Sequence, residues 1–310
     1  MCEEVAEDVV LSMMDKRSLY QRLTTSIFAL VISLLLCCVT DVRTFKVVDL
    51  THELSDTTIY WPGNPQYNFS ILARGQGSSF WYESNYVAQA EHGGTHVDAP
   101  AHFYEGAWRT HQIPMERLTG PAVIIDVKEK ARSNPDYRVQ VSDVEDWESV
   151  NGRIPDNAVV VMNSGWGYKY PNKTAVFGTS TPEVPSTFHF PAWHHDTVMW
   201  LINKRFVYMI GVDTPSTDYG QSTEFPTHVV LAKYNVIGLE NVANLDRLPV
   251  SGSRLFAAVI KTKDGSGGPA RLFATISTEE RECTATGCRQ GSNLSVLTLG
   301  ITIIVLYRNF

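Results

Sequence analysis

The sequence predicts one α/β domain that contains more strand than helix. Two short runs rich in valine and isoleucine, residues 121–127 and 158–162, have the composition of buried strands. Segments with helical character are fewer and short. The body between residues 41 and 282 contains no internal repeat and no long linker. A body of about 240 residues is long enough to bury one large core.

Strands are predicted along the whole of this body. They are expected at residues 45–50, 85–91, 121–127, 158–162, 206–213, 236–240, 255–260 and 270–276. The prolines and the glycine of residues 60–65 mark a loop between the first two strands. The last two strands are expected to pair across a glycine-rich loop.

Three helical segments are predicted between these strands. A short helix is expected to open at Ser142, which would cap it, because Glu145 follows at the spacing of a capping box. Residues 190–204 are predicted to form a longer helix, and residues 229–234 a short helical turn that follows His228.

The two ends of the chain differ from this body. Residues 1–40 are predicted to be a leader with a signal peptide or signal anchor, because basic residues precede the apolar run 27–39. Residues 283–310 are predicted to be a tail that ends in an apolar anchor or a GPI-attachment signal. These ends predict entry into the secretory pathway, with the protein secreted or anchored at the cell surface.

Composition narrows the classes of function. The net charge of −7 is modest and the chain has no basic block, which argues against nucleic-acid binding. The five cysteines lie at positions 2, 37, 38, 283 and 288. The body therefore contains no thiolate nucleophile and no cysteine-based zinc site, while Cys283 and Cys288 could form a loop disulfide in an oxidising compartment. Sequons at Asn68 and Asn172 would permit glycosylation of a secreted chain.

Residues 92–103 carry the strongest functional signal. His92, His96, Asp98 and His102 stand within eleven residues, and imidazoles and carboxylates are ligands of zinc, manganese and iron. The glycines after His92 and the proline at position 100 disfavour a helix here. In an extended segment, residues of equal parity share one face, so all four side chains are expected to converge.

These residues suggest distinct roles. His92, His96 and Asp98 would suffice to hold a catalytic metal ion and leave a position open for water. His102 is expected to act as general base and acid, with a fourth metal ligand as the alternative. A buried carboxylate needs a hydrogen-bond partner or a cation. The residues alone therefore allow two interpretations of His228 and Glu240, a second metal site or structural hydrogen bonding.

The run also resembles the His-x-Gly-Thr-His-x-Asp-x-Pro-x-His signature of the cyclase-like metal-dependent hydrolases, which include bacterial-type kynurenine formamidase and isatin hydrolase. Residues 49–54, 61–65, 210–218 and 240–245 are similar to other segments of that family. The resemblance implies a single domain of the swivelling β/β/α type, rich in strand and with a few short helices.

The resemblance also implies a ligand set. One zinc ion would be held by His92, His96 and Asp98, and Asp98 would bridge to a second ion held by His228 and Glu240. One or two zinc ions are expected, although manganese suits the same donor atoms. The catalytic histidine of the family falls on His102 and the tryptophan that contacts substrate falls on Trp61. A homo-oligomer is expected as well.

The predicted activity is that of an arylformamidase, which converts N-formyl-L-kynurenine and water to L-kynurenine and formate in tryptophan catabolism. A flat aromatic substrate would stack on Trp61 or on its neighbours Tyr60 and Trp81. One alternative is hydrolysis of a cyclic aryl amide such as isatin. A second is a non-catalytic binding protein at the cell surface, although a binding module has no need of His102 as a proton carrier.

Other candidate residues carry weaker signals. The run His194–His195–Asp196 is interpreted as a solvated helix start rather than a metal site, because neighbouring side chains on a helix point apart. The sequence does not decide whether His52 and Trp166 line the site or have a structural role in the fold.

Overall fold

The computed structural model describes residues 23–29 and 44–278. Residues 23–29 are helical, and Phe45–Ser277 forms a separate compact unit. Within the described part of the chain, no helix is both long and apolar enough to cross a membrane. Most of the predicted signal core and the whole predicted C-terminal tail, which includes Cys283 and Cys288, lie outside the described residues.

Residues 44–278 contain twelve strands and five α-helices. The strands are β1 (Thr44–Asp49), β2 (Asn68–Gln76), β3 (Trp81–Ala88), β4 (His96–Asp98), β5 (Thr119–Asp126), β6 (Arg138–Val139), β7 (Val159–Asn163), β8 (Ala192–Trp193), β9 (Met209–Val212), β10 (Ile237–Glu240), β11 (Ser253–Val259) and β12 (Gly267–Thr278). The helices are α1 (Lys128–Ser133), α2 (Val141–Asn151), α3 (Lys173–Phe177), α4 (His195–Arg205) and α5 (Pro226–Lys233).

Eight strands form one mixed sheet that closes on itself. Its order is β1-β12-β11-β5-β7-β9-β10-β4, and β4 also pairs with β12. The strands β5, β7, β9 and β10 run parallel to their neighbours within that group, whereas β4, β11 and β12 pair antiparallel. Because β4 joins β10 to β12, the short strand that carries His96 and Asp98 completes the barrel-like sheet.

Alternate residues of the central strands pack into two separate cores. Val159 and Val161 of β7 lie in the core enclosed by the strands, whereas Val160 and Met162 lie in a second core. The second core also contains apolar residues of α2, α4 and α5, which cover one face of the sheet. The sequence of a strand that is buried on both faces is a nearly continuous run of apolar residues. For this reason β5 and β7 could be predicted from composition.

Four predictions about individual elements are corrected. Residues 190–204 are not one helix, since Ala192 and Trp193 pair with β6 and the helix begins only at His195. The predicted cap is also wrong. Gln140 caps α2, and Asp143 accepts its backbone N–H at 2.7 Å. His228 lies inside α5 rather than before it, because Pro226 starts that helix. The strand predicted at residues 85–91 is β3, which ends at Ala88 and pairs with β2 in a separate hairpin.

Candidate active site

Strands β4 and β10 bring three of the candidate residues together. His96 and Asp98 are two apart on β4, so their side chains share one face. The antiparallel register pairs Glu240 with His96 and Gly238 with Asp98. Directly paired residues also share a face, which places the Glu240 carboxylate beside His96. A Cβ atom on Gly238 would lie 3.1 Å from Asp98 Oδ2, so glycine there keeps room for the carboxylate.

The first turn of α5 adds His228 to this group. His96, Asp98, His228 and Glu240 are all buried, with between 3% and 7% of each residue exposed. Asp98 Oδ1 lies 3.2 Å from His96 Nε2, and Asp98 Oδ2 lies 3.4 Å from His228 Nε2. Glu240 spans the same two rings, at 3.4 Å from His96 Nε2 and 3.1 Å from His228 Nε2. Two imidazole nitrogens and two carboxylates therefore face one another.

The outer nitrogens of these two rings are held by hydrogen bonds. His96 Nδ1 donates to the Gly94 carbonyl at 3.0 Å, and His228 Nδ1 donates to Asp218 at 2.6 Å. With the proton on Nδ1, each ring presents the lone pair of Nε2 to the carboxylates. Glu240 is itself oriented by the backbone N–H of Thr217, at 2.8 Å.

His92 approaches the same carboxylate from the other side. Its Nδ1 lies 2.7 Å from Asp98 Oδ1, and its Nε2 lies 3.0 Å from Ser266 Oγ. His92 precedes β4 in a segment that makes only an isolated bridge, between Gly93 and Tyr60. The four motif side chains converge, but not on one extended face as expected, because only His96–Asp98 is strand.

This arrangement of acceptors fits a metal ion. Asp98 Oδ2 is buried and has no hydrogen-bond partner among the described residues. Two groups of ligand atoms, each lying within 4.8 Å of one another, meet at this aspartate: His92, His96 and Asp98, and Asp98, His228 and Glu240. Facing lone pairs of nitrogen and oxygen repel unless a proton or a metal ion lies between them. Both sets have donor atoms that suit zinc or manganese.

The pKa values of His96, His228 and Asp98 also indicate that this cluster favours positive charge. Burial lowers the pKa of His96, but the hydrogen bond and charge of Asp98 outweigh it and raise that pKa to about 9. Burial opposes a similar change at His228, where Asp218 and Asp98 hold the pKa well above its ordinary value. Burial alone would raise the pKa of Asp98, yet its three imidazole partners keep it well below the usual range.

His102 lies at the end of a short turn after β4. This turn, Pro100–His102, stacks the His102 ring on the His92 ring, with the two centroids 3.8 Å apart and the two planes nearly parallel. His102 retains contact with solvent, but packing around the ring lowers the pKa of His102 to about 4. The imidazole is therefore neutral at pH 7 and able to accept a proton.

A cavity of about 280 Å³ opens onto these residues. Its walls are mainly aromatic and come from several parts of the chain: Tyr60, Trp61, Phe103, Phe177 and Phe225. The ring of Trp61 packs edge-on against Phe188 and Phe177, at 5.2 and 6.1 Å between centroids. None of the described residues that line the cavity is a lysine or an arginine. A flat, uncharged aromatic molecule suits such a site.

The weaker candidates lie elsewhere in the fold. The rings of His194 and His195 do not point apart but stack at 4.5 Å, because His194 is the extended N-cap of α4. His52 stacks on Tyr170 and lines a separate polar cavity of about 190 Å³. Trp166 is buried and donates to the Val176 carbonyl, so it belongs to the core.

Some site residues were not singled out from the sequence. Asp218 lies within residues 210–218, a segment that resembles the family, so the sequence did contain a signal for it. Phe177 and Phe225 reach the cavity from α3 and from the residue before α5. Nothing local distinguishes these two from core phenylalanines, and only the packing of distant elements brings them to the cavity.

Comparisons with known proteins agree with this geometry. The sequence model of the putative cyclase family matches residues 48–219. An isatin hydrolase of Roseibium aggregatum is 32% identical over 246 residues, which cover 74% of this chain and 92% of that protein. A kynurenine formamidase of Salinibacter ruber is 26% identical over 226 residues, covering 73% and 95%. A solved isatin hydrolase bound to the product analogue thioisatinate superimposes with a TM-score of 0.69 at 26% identity, covering 82% of this chain and 99% of that one.

Proposed function

The chain belongs to the cyclase family of metal-dependent hydrolases, and we propose that it hydrolyses the amide bond of a small aromatic substrate at the centre around Asp98. The observation that carries this proposal is the set of facing acceptors: imidazole nitrogens of His92, His96 and His228 against the carboxylates of Asp98 and Glu240. The buried Asp98 Oδ2, which has no hydrogen-bond partner among the described residues, favours a bound cation over a structural hydrogen-bond network.

Two ligand groups share Asp98 in this proposal. His92, His96 and Asp98 would hold one ion, and Asp98, His228 and Glu240 would hold a second. Zinc is the proposed metal, with manganese as the alternative for the same donor atoms. When bound, such an ion would make water more acidic and would polarise the carbonyl of the amide.

His102 carries the protons in the proposed reaction. Its neutral ring accepts a proton from the water that attacks the carbonyl carbon, and a new C–O bond forms. The C–N bond then breaks, and the imidazolium returns that proton to the departing nitrogen. The stacking of His102 on His92 keeps the ring beside the ligand group throughout.

The aromatic walls would bind the aryl part of the substrate. Trp61 is the proposed contact, because its ring lines the cavity and is held edge-on by two phenylalanines. Burying the flat face of a substrate against these rings removes apolar surface from water and aligns the amide with Asp98 and His102.

Two substrates fit this chemistry. N-formyl-L-kynurenine would give L-kynurenine and formate. Isatin, a neutral cyclic aryl amide, would open to an amino-substituted aryl keto acid. The lining favours isatin, because a free amino acid carries a carboxylate and no described lining residue supplies a lysine or an arginine for it. The greater identity to an isatin hydrolase supports the same choice.

Comparing the two substrates tests the proposal directly. We expect the full chain, loaded with zinc or manganese, to hydrolyse isatin faster than N-formylkynurenine at equal concentrations. The variant His96→Ala should lose both the metal and the activity. Metal binding without hydrolysis of either compound would contradict the enzyme proposal and would support a binding protein on the same fold.

We also propose that the protein is a homo-oligomer. The hairpin of β2 and β3 exposes apolar side chains on both faces, with Phe69 and Val87 paired on one and Tyr82 and Tyr86 on the other. A lone two-stranded ribbon is only marginally stable, and a second copy would cover both faces. Light scattering should give a mass above 34.6 kDa, and the variant Phe69→Ser with Tyr86→Ser should shift it towards that value.

The cellular location is a proposal that rests on the predicted ends of the chain. A signal peptide or anchor in residues 1–40 and an anchor or GPI-attachment signal in residues 283–310 would place the domain outside the cell or on its surface. Sequencing the mature N-terminus and releasing the protein with phospholipase would test the two ends separately.

A further inference from the structure

The residues Gly265, Ser266 and Gly267 enclose one of the proposed metal ligands, His92. This segment lies just before and at the start of β12, and Ser266 is 174 positions away from His92 in the sequence. We infer that Ser266 and Glu91 are positioning residues that determine which ring nitrogen of His92 faces the metal centre. The inference rests on the proposed function.

The direction of the hydrogen bonds around Ser266 can be deduced. Glu91 Oε2 accepts the backbone N–H of Ser266 at 3.0 Å and its hydroxyl at 2.7 Å. A hydroxyl has a single hydrogen, and here that hydrogen is donated to Glu91. Towards His92, Ser266 Oγ can therefore only accept, so the contact of 3.0 Å requires the ring proton on His92 Nε2.

A proton on Nε2 leaves the lone pair on Nδ1. That nitrogen lies 2.7 Å from Asp98 Oδ1, on the side of the proposed metal. His96 and His228 have the opposite arrangement, because their Nδ1 atoms donate to Gly94 and Asp218. His92 would bind through Nδ1, whereas His96 and His228 would bind through Nε2. A separate hydrogen-bond partner is therefore needed to fix the tautomer of His92.

The glycines on either side of Ser266 make this contact sterically feasible. A Cβ atom on Gly267 would lie 2.4 Å from His92 Cε1 and 3.0 Å from His92 Nδ1. A Cβ atom on Gly265 would lie 2.8 Å from Glu91 Oε1. Because β12 pairs Gly267 with Asp98 of β4, the same register that closes the sheet also holds Ser266 against the histidine.

Four variants separate tautomer control from simple anchoring of the loop. Ser266→Ala removes the acceptor for His92 but keeps the backbone N–H bond to Glu91. Glu91→Ala frees the hydroxyl, which can then donate to His92 and favour the wrong tautomer. Ser266→Thr and Glu91→Gln preserve a hydroxyl and an acceptor respectively, so they serve as matched controls.

The experiment measures zinc affinity and the histidine tautomer in the full chain. We expect competition with a chelator to show ~10- to 100-fold weaker zinc binding for Ser266→Ala and Glu91→Ala, the range typical of such outer partners. The two controls should remain close to the unmodified protein. Long-range ¹H–¹⁵N spectra should show the proton of His92 on Nε2, and a mixture or the reverse in the two alanine variants.

The outcomes distinguish this inference from the proposed function. If the unmodified protein binds no zinc or manganese, the proposed metal centre fails, while the tautomer of His92 in the metal-free spectra still tests the positioning role. If the unmodified protein binds zinc and both alanine variants bind it equally well with the same tautomer, the positioning role is overturned and the metal centre stands.

Discussion

Asp218 accepts a hydrogen bond from the ring of His228 at 2.6 Å, and it also accepts the backbone N–H groups of Thr227 and His228 at the start of α5. Burial alone would raise the pKa of Asp218, but the hydrogen bond with His228 and these backbone donors lower it. The carboxylate is therefore charged and locked in place, and it keeps Nε2 of His228 directed at Asp98 and Glu240.

Replacing Asp218 with asparagine should weaken metal binding with little change in shape. We expect the variant Asp218→Asn to lose ~10- to 100-fold in affinity for zinc, because the neutral amide orients the histidine less strongly. Calorimetric titration of metal into metal-free protein would measure this. Asp146→Asn is a suitable control, since Asp146 is exposed on α2, a helix that carries none of the proposed site residues. An equal loss in both variants would rule out a specific role for Asp218.

Removing the ring of His102 should greatly reduce turnover while leaving the metal in place. The variant His102→Ala is expected to lower kcat by ~10²- to 10⁴-fold, the range for loss of a general base. Metal content measured on the same sample should match that of the unmodified protein. Loss of metal together with activity would instead identify His102 as a ligand, which was the alternative role left open by the sequence.

The ring of Trp61 should contribute to substrate binding rather than to the chemical step. For Trp61→Ala we expect KM to rise by ~2- to 10-fold, which corresponds to about 0.5–1.5 kcal/mol for an aromatic contact. The variant Trp61→Phe should retain most of the affinity because it keeps an aromatic face. Steady-state kinetics with isatin would reveal the effect, and an unchanged KM in Trp61→Ala would exclude Trp61 from the binding surface.

Gly93 should tolerate no side chain. A Cβ atom there would lie 2.1 Å from two ring carbons of Tyr60, which is itself buried. We expect Gly93→Ala to lower the free energy of unfolding by about 1–3 kcal/mol through overpacking. Gly167→Ala is the control, because its added Cβ atom would make only ordinary contacts, with the nearest atom 3.5 Å away. Chemical denaturation should also show a smaller cost for Gly93→Ala in a Tyr60→Ala background, since the clashing ring is then absent.

Asp246 should contribute stability that disappears in acid. It accepts hydrogen bonds from Lys128 at 2.5 Å and Asn163 at 2.9 Å, and another from Tyr168. The bond from Lys128 is the main reason that the pKa of Asp246 falls to about 2. Since the folded value lies below the ordinary one of about 4, the stabilisation is complete above pH ~4 and is lost as the pH falls towards ~2.

The test of this pH dependence is the variant Asp246→Asn. Because the group is partly exposed, we expect a loss of only about 1 kcal/mol in the free energy of unfolding at pH 7. The difference from the unmodified protein should shrink as the pH is lowered through that window. Denaturation curves at several pH values would show this, and a difference that stays constant down to pH ~2 would contradict it.

Part of the candidate site could be predicted because three of its proposed ligands, His92, His96 and Asp98, are close together in the sequence. His96 and Asp98 lie on one face of any strand that contains them, since side chains alternate along a strand. The family resemblance added His228 and Glu240 but gave no geometry for them. Their meeting depends on the pairing of β10 with β4 and on the first turn of α5, which are contacts between distant parts of the chain.

The sequence by itself determined the types of the candidate ligands, their spacing within β4 and the membership of the family, because these depend on residue identity and local periodicity. The tertiary structure alone decided which nitrogen of each imidazole faces Asp98, and which aromatic rings form the cavity wall. Those properties depend on partners such as Ser266, Asp218 and Phe225, which are brought close only by strand register and helix packing. Local patterns specify neighbours within one element, whereas contacts between elements follow from the packing of the whole chain.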